Sequence, residues 1–176
     1  MKKSFLVPVL LACALPLFAE PEKKATEITC EGEMFFDAKE GVVVFEKNVK
    51  IVDDQFTLTT DKLTAYIKKI ALDGEENDPS AGLDRVVAEG NVLISQERVD
   101  EKTGEKTLYT GKAEKAEYVA ATDEVTLFGW PQITQGEKIL KATREDTVMI
   151  MERSGKFRSK GPIAIQTDTQ SIKKKP

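Results

Sequence analysis

Apolar and polar residues alternate along most of the chain, which is the pattern of half-buried β-strands and not of amphipathic helices. The segment GVVVFEKNVKIV, residues 41–52, shows the alternation on both sides of a polar interruption at Glu46, Lys47 and Asn48. The threonine-rich segment 57–64 has the β-branched residues that favour strands. After the loop-like segment LDGEENDPSAG, the alternation resumes and continues to about residue 165. The chain is therefore predicted to be all-β.

Short polar interruptions recur inside these predicted strands. In VVAEGNVLIS, residues 86–95, Glu89-Gly90-Asn91 separates two apolar runs, and similar breaks fall at Lys47-Asn48, Gly129-Trp130-Pro131 and Gly161-Pro162. Glycine and asparagine tolerate a positive φ, and proline is accepted where the ladder N–H is not used. Each break is thus predicted to be a corner, and repeated corners indicate stacked layers of one unit.

A strand that bends at the same level in every layer folds its sheet over on itself. The prediction is an open structure of two facing antiparallel sheets, with Gly90, Asn91, Gly129 and Gly161 at the corners and two open ends. An ordinary β-sandwich with coincidental turns is the alternative that the spacing leaves open. Residues 96–107 form a long predicted hairpin with its turn at Lys102-Thr103-Gly104.

Residues that hold one parity within each predicted strand are expected to face the interior. Simple core packing and the lining of a ligand groove both agree with such a placement. The set consists of Val43, Phe45, Val49, Ile51, Phe56, Leu58, Leu63, Ala65, Ile67, Val86, Ala88, Val92, Ile94, Tyr118, Val125, Leu127, Ile133, Val148, Ile150, Phe157, Ile163 and Ile165.

Composition narrows the possible functions. The 176 residues suffice for one domain, and 40% hydrophobic residues argue against wholesale disorder. A net charge of −4 disfavours nucleic acid as a partner. The absence of histidine removes Ser-His-Asp and Cys-His catalysis and imidazole metal sites, and there is no nucleotide-binding glycine motif. No catalytic residue, metal or cofactor is predicted, and the carboxylate pairs Asp53-Asp54 and Glu75-Glu76 are interpreted as solvated loop charges.

The first nineteen residues, MKKSFLVPVLLACALPLFA, have a basic start, a short apolar stretch and a small residue at Ala19. This pattern is typical of a secretory signal peptide cleaved after Ala19, so segment 1–19 is assigned to it. A retained membrane anchor and a lipoprotein modified at Cys13 are the alternatives. Cleavage would leave Cys30 as the one cysteine, without an intramolecular disulfide. Residues 20–27 are predicted to be a flexible segment, 28–167 the β-domain, and 168–176 a disordered basic tail.

The chain resembles a known family, the LptA/OstA-like periplasmic bridge of lipopolysaccharide transport. The resemblance rests on VVFEKNVKIVDDQFTLTTDKLTAYI, LDRVVAEGNVLIS, KAEKAEYVAATDEVTLFGWPQITQG and GPIAIQ, which follow one another in family order. It covers nearly all of the chain after the predicted signal peptide. The departures are Lys47 where the family usually has glycine, Thr60 where it tends to have alanine, and the 96–107 hairpin, which looks like an insertion.

The resemblance implies a layered open β-jellyroll, also called a β-taco, with an apolar groove for the acyl chains of lipid A and no enzymatic activity. The candidate lipid-binding residues are then the interior set without Ala65, Val86, Ala88, Phe157, Ile163 and Ile165. The implied location is the periplasm, and the implied partners are lipopolysaccharide and inner- and outer-membrane transport components that share the fold. Head-to-tail homo-oligomers would form through free edges at 28–36 and 162–167.

Other readings of the sequence stay open. If residues 4–19 remain as a helix, the chain would resemble the membrane-anchored LptC-like component of the same pathway. A structural β-sandwich that acts as an interaction module, such as an adhesin or an inhibitor, is a third possibility. A hydrolase on a β-scaffold is disfavoured because histidine is absent.

Overall fold

The computed structural model describes residues 26–68, 82–99, 104–152 and 156–167. Within these ranges the secondary structure consists of β-strands, as the alternation predicts. The predicted signal peptide, the basic tail, most of the flexible segment 20–27 and most of the 102–104 turn lie outside the described residues. The strands are β1 (Glu27–Thr29), β2 (Met34–Asp37), β3 (Val42–Val52), β4 (Thr57–Ile67), β5 (Leu83–Val99), β6 (Lys106–Val119), β7 (Glu124–Phe128), β8 (Gln132–Gln135), β9 (Lys138–Ala142), β10 (Val148–Glu152), β11 (Phe157–Lys160) and β12 (Ile163–Thr167).

All strand pairs are antiparallel and belong to one 12-stranded sheet, which divides into two leaves. The long strands β3 to β6 pass through both leaves, and short strands complete each leaf on either side. Leaf A runs β2-β3-β4-β5-β6-β7-β10-β11, and leaf B runs β1-β3-β4-β5-β6-β8-β9-β12. The predicted jellyroll is confirmed. Its two facing sheets are the two leaves of a single bent sheet.

The bend between the leaves lies at the predicted breaks. Lys47 and Asn48 have φ values of 67° and 49°, and Gly90 and Asn91 have values of 80° and 49°. At both positions the strand ladder shifts register, as a β-bulge does. Gly129 (φ 70°) and Gly161 (φ 117°) occupy equivalent breaks between short strands. All four predicted corner residues therefore lie where a left-handed backbone is needed.

Acidic side chains of neighbouring segments support the corners. Asn91 Nδ2 donates to Asp61 Oδ2 over 2.8 Å, and Asn48 Nδ2 donates to Glu31 Oε2 over the same distance. Buried Thr60 lies against the same bend, with its Oγ1 2.9 Å from the carbonyl oxygen of Glu89. The Thr60 hydroxyl thus donates a hydrogen bond to a carbonyl oxygen of the corner, and an alanine at position 60 could not provide this bond.

The leaves face each other around a shared apolar core. The buried cluster joins Val49, Ile51 and Ile94 of leaf B to Leu63 and Leu127 of leaf A. Close approach is possible at Gly111 of leaf B, where a Cβ would lie 3.2 Å from both Leu127 Cδ1 and Met151 Sδ of leaf A. The interior is therefore packed where the leaves meet.

We expect Gly90→Val to lower the free energy of unfolding by roughly 1–3 kcal/mol, since a β-branched residue is strained at φ +80°. A Cβ at this position would also clash with Asp61 Oδ2. Gly104→Val is the matched control, because Gly104 has φ +70° and a Cβ there would meet no atom of the other described residues within 4 Å. Denaturant unfolding should show the larger loss for Gly90→Val; equal losses would contradict the corner contact.

Candidate functional site

The interior of each leaf is organised in rows that run across all of its strands. Residues directly opposite in an antiparallel ladder place their side chains on the same face, so the strand registers define these rows. The leaf B row, from one edge to the other, is Ile28, Ile51, Leu58, Ile94, Gly111, Ile133, Leu140 and Ile165. Every member is apolar or glycine.

Leaf A contains two corresponding rows. The row nearer the corner is Met34, Phe45, Leu63, Ala88, Ala116, Leu127, Met149 and Ser159. The outer row is Phe36, Val43, Ala65, Val86, Tyr118, Val125, Met151 and Phe157. Only Ser159 and Tyr118 carry a polar group, and the Tyr118 hydroxyl lies 3.1 Å from Asp123 Oδ1.

The rows are buried in their middle and exposed at their ends. Leu63, Leu127 and Ile133 are at most 1% exposed, whereas the end residues Phe36 and Ile165 are 55% and 65% exposed. The ends coincide with the sheet edges, because β1 and β2 pair only with β3, β11 only with β10, and β12 only with β9 among the described strands. Large apolar side chains on the interior face are thus left uncovered at both open ends.

Both predicted edges are confirmed as edges, with one correction. Segment 28–36 is not a single strand, because it crosses the corner and divides into β1 and β2 around residues 30–33. Each piece belongs to a different leaf. The opposite edge is likewise formed by β11 and β12 on either side of Gly161, and not by 162–167 alone.

Most of the predicted interior residues lie in the rows or beside them. Val49, Ile51, Leu58, Leu63, Ala88, Val92, Ile94, Leu127 and Ile133 belong to the buried cluster. Phe45, Phe56, Val86, Val125 and Ile163 pack against it. Val43, Ala65, Ile67 and Tyr118 share the interior parity and are half-buried. Lipid binding by these residues stays a prediction.

Strand β10 corrects the prediction for Val148 and Ile150. Met149 lies opposite Leu127 and Met151 opposite Val125, so the methionines point to the interior and Val148 and Ile150 to the other face. Residues 148–151 are apolar at every position, so no polar residue marks the outer face of this segment. Phe157 and Ile165 have the predicted parity but are exposed, because they end their rows.

Leu140, Met149 and Gly111 are interior residues that the alternation does not identify. Leu140 follows closely on a turn at Gly136-Glu137, and the sequence pattern there indicates only the turn. The hairpin register is the available signal, since Gln135 opposite Lys138 places Leu140 opposite Ile133. Gly111 has no side chain that could enter a hydrophobic pattern.

The charged groups lie mostly on the outer face. Lys62 pairs with Glu46 and Lys106 with Glu97, and in each pair the hydrogen bond to the carboxylate raises the pKa of the lysine above its ordinary value. In the part of the chain that the structure describes, no three histidine, cysteine or acidic residues are grouped as metal ligands. No helix among those same residues could cross a membrane.

Comparisons with known proteins agree with this architecture. Residues 28–150 match the model of the family described as "LptA/(LptD N-terminal domain) LPS transport protein". No curated protein sequence matches the chain. Among solved structures, the crystal structure of LptH from Pseudomonas aeruginosa, described as the LptA-homologous periplasmic component of a lipopolysaccharide transport device, matches with a TM-score of 0.64. The match covers 84% of this chain and 99% of LptH at 13% identity, and it therefore supports the fold.

Proposed function

Because this chain belongs to the LptA/(LptD N-terminal domain) family of lipopolysaccharide transport proteins, we propose that it is a non-enzymatic periplasmic carrier of lipopolysaccharide. Its apolar interior would hold the acyl chains of lipid A. The observation that carries the proposal is the set of three interior rows, which run from edge to edge of the sheet. All of their ends except Ser159 are exposed apolar side chains.

The interior has the chemistry that acyl chains require. Each methylene transferred from water to apolar surroundings contributes about 0.8 kcal/mol, so one long acyl chain gains enough to offset much of the cost of ordering it. The leaves contact each other at Gly111 and Leu127, so chains would occupy the interior as the leaves separate. An open sheet allows this separation because, among the described strands, β11 and β12 pair with no strand of the opposite edge.

The open edges support a bridging role between the inner and outer membranes. The strands β1 and β2 at one end, and β11 and β12 at the other, each pair with a neighbour on one side only among the described residues, so the backbone groups on their other side have no strand partner there. Strand addition there by another copy, or by transport components with the same fold, would continue both leaves and join the interior rows. The exposed row ends Phe36 and Phe157 would then be covered.

Extraction of lipid from the purified protein tests the carrier function. Protein isolated without detergent from cells that make lipopolysaccharide should release acylated glycolipid into organic solvent, detectable by mass spectrometry. A structural interaction module should release none, and that result would contradict the proposal. Sequencing of the mature N-terminus separates the carrier from a membrane-anchored component: a start at Glu20 fits the carrier, and a retained segment 4–19 fits the anchor.

End-to-end assembly predicts a specific disulfide. Ile28 and Ile165 end the same row of leaf B, so continuation of the ladder brings Ile28 of one copy close to Ile165 of the next. In a Cys30→Ser background, Ile28→Cys with Ile165→Cys should give disulfide-linked multimers on oxidation, in amounts that rise with concentration. Ile28→Cys with Val99→Cys is the control, since Val99 is exposed on the outer face of leaf B. Equal cross-linking of both variants would reject ladder continuation.

A further inference from the structure

The interior face of leaf B changes from apolar to polar toward its outer margin. One pleat beyond the Ile94 row, roughly 7 Å further from the corner, the residues facing one another are Gln96, Tyr109, Gln135 and Lys138. Arg98, opposite Thr107, continues the same face. We call Gln96, Arg98, Tyr109, Gln135 and Lys138 the rim. It carries two cations and no carboxylate, directly beside a continuous apolar row.

The Arg98 guanidinium is held in place by neutral groups. Its Nε and Nη2 donate to Gln96 Oε1 over 3.0 and 2.7 Å, and its Cζ lies 5.0 Å from the centre of the Tyr109 ring. Nη2 also donates over 3.4 Å to the backbone oxygen of Glu152 in leaf A. Among the described residues, Arg98 has no carboxylate within ion-pair distance, so its charge is positioned without being neutralised.

A second donor lies beside the guanidinium. Gln135 Nε2 donates to the Tyr109 hydroxyl over 2.9 Å, so this oxygen acts as the acceptor and its own proton can be donated to a further group. Lys138 lies opposite Gln135 in the ladder and is exposed. Guanidinium, phenol and ammonium groups on one face are suited to an anion with several oxygens, and arginine binds phosphate through two parallel N–H bonds.

We propose that the rim is a headgroup site for a phosphate ester on an acylated lipid, with Arg98 as its principal ligand-binding residue. This proposal rests on the proposed function, which places only the acyl chains of the lipid, and adds a position for the headgroup. The acyl chains lie along the row of Ile94. The phosphate replaces the side-chain oxygen of Gln96 and the backbone oxygen of Glu152 as the hydrogen-bond acceptor of Arg98. The Glu152 contact joins leaf A to leaf B, so its replacement by phosphate favours separated leaves when lipid is bound.

The test compares two probes, purified lipid A and the same lipid A after enzymatic dephosphorylation, in equilibrium binding measurements on the full mature chain. Arg98→Gln should weaken binding of the phosphorylated probe roughly tenfold or more, as expected for loss of charge-assisted hydrogen bonds. It should not weaken binding of the dephosphorylated probe, which has no phosphate for the guanidinium to bind. Arg98→Lys should lie between the wild type and Arg98→Gln, because it keeps the charge and loses the planar fork.

Lys112→Gln is the matched control, because it removes one positive charge from the outer face of the same leaf. It should bind both probes like the wild type, and melting temperatures should confirm that all variants are folded. Wild-type affinity of Arg98→Gln for the phosphorylated probe would overturn the headgroup site, as would equal weakening for both probes, which indicates a structural role. A wild-type chain that binds neither probe would overturn the proposed function itself.

Discussion

Met149→Asp is expected to unfold the domain, whereas Val148→Asp, one residue earlier in the same strand, is expected to leave it folded. Met149 is 1% exposed and lies in the interior row opposite Leu127. A carboxylate there would be removed from water without a partner, at a cost of more than about 4 kcal/mol. That cost is comparable to the entire stability of a small domain.

Val148 supplies the matched control because it points to the opposite face and lies across the ladder from Lys160. An aspartate at 148 would remain in contact with solvent and could attract that lysine, so its effect should stay below about 1 kcal/mol. Circular dichroism and denaturant unfolding measure both variants. A folded Met149→Asp together with an unfolded Val148→Asp would contradict the register of β10.

A disulfide between the leaves should abolish lipid uptake. A Cβ at Gly111 would lie 3.2 Å from Met151 Sδ across the interior. Gly111→Cys with Met151→Cys is therefore the pair to oxidise, with mass spectrometry to verify that the disulfide joins leaf B to leaf A. In a chain made without residues 1–19 and with Cys30→Ser, the oxidised protein should bind acylated lipid at least roughly tenfold less than the reduced protein, because the closed arrangement is the only one left. Addition of reductant should restore binding.

The single variants Gly111→Cys and Met151→Cys control for the substitutions themselves, since neither can close the leaves. Both should bind lipid equally under oxidising and reducing conditions. If the oxidised double variant takes up as much lipid as its reduced form, the chains do not lie between the leaves and the proposed carrier mechanism is wrong.

The corners were predictable from sequence because they need unusual backbone chemistry. Gly90-Asn91 and Gly129 stand out as residues that accept a positive φ inside otherwise apolar strands, and their recurrence indicates layers. The interior parity of β3 to β5 was equally clear, since charged residues such as Glu46 and Lys50 mark the outer face. The all-β class and the corner positions therefore followed from local pattern, whereas the spacing of the corners still allowed an ordinary β-sandwich.

The pairing of strands across the corners could not be read from the sequence. Which face of β10 points inward depends on its register against β7, and an unbroken apolar segment gives no indication of it. Likewise, Gln96, Tyr109 and Gln135 are distant in sequence, and only the ladder brings them into one polar row beside the apolar one. Their alignment is a property of the tertiary fold.

If acyl chains occupy the interior face of the leaves, adjacent residues of β2 should differ in their contact with lipid. Phe35 and Phe36 are adjacent and 60% and 55% exposed, yet Phe36 ends an interior row while Phe35 lies opposite Val44 on the outer face. A photoreactive phenylalanine analogue placed at each position, irradiated with lipopolysaccharide, measures which face contacts lipid. We predict lipid adducts at position 36 and none above background at position 35. Equal adducts at both positions, or adducts at 35 alone, would contradict the account.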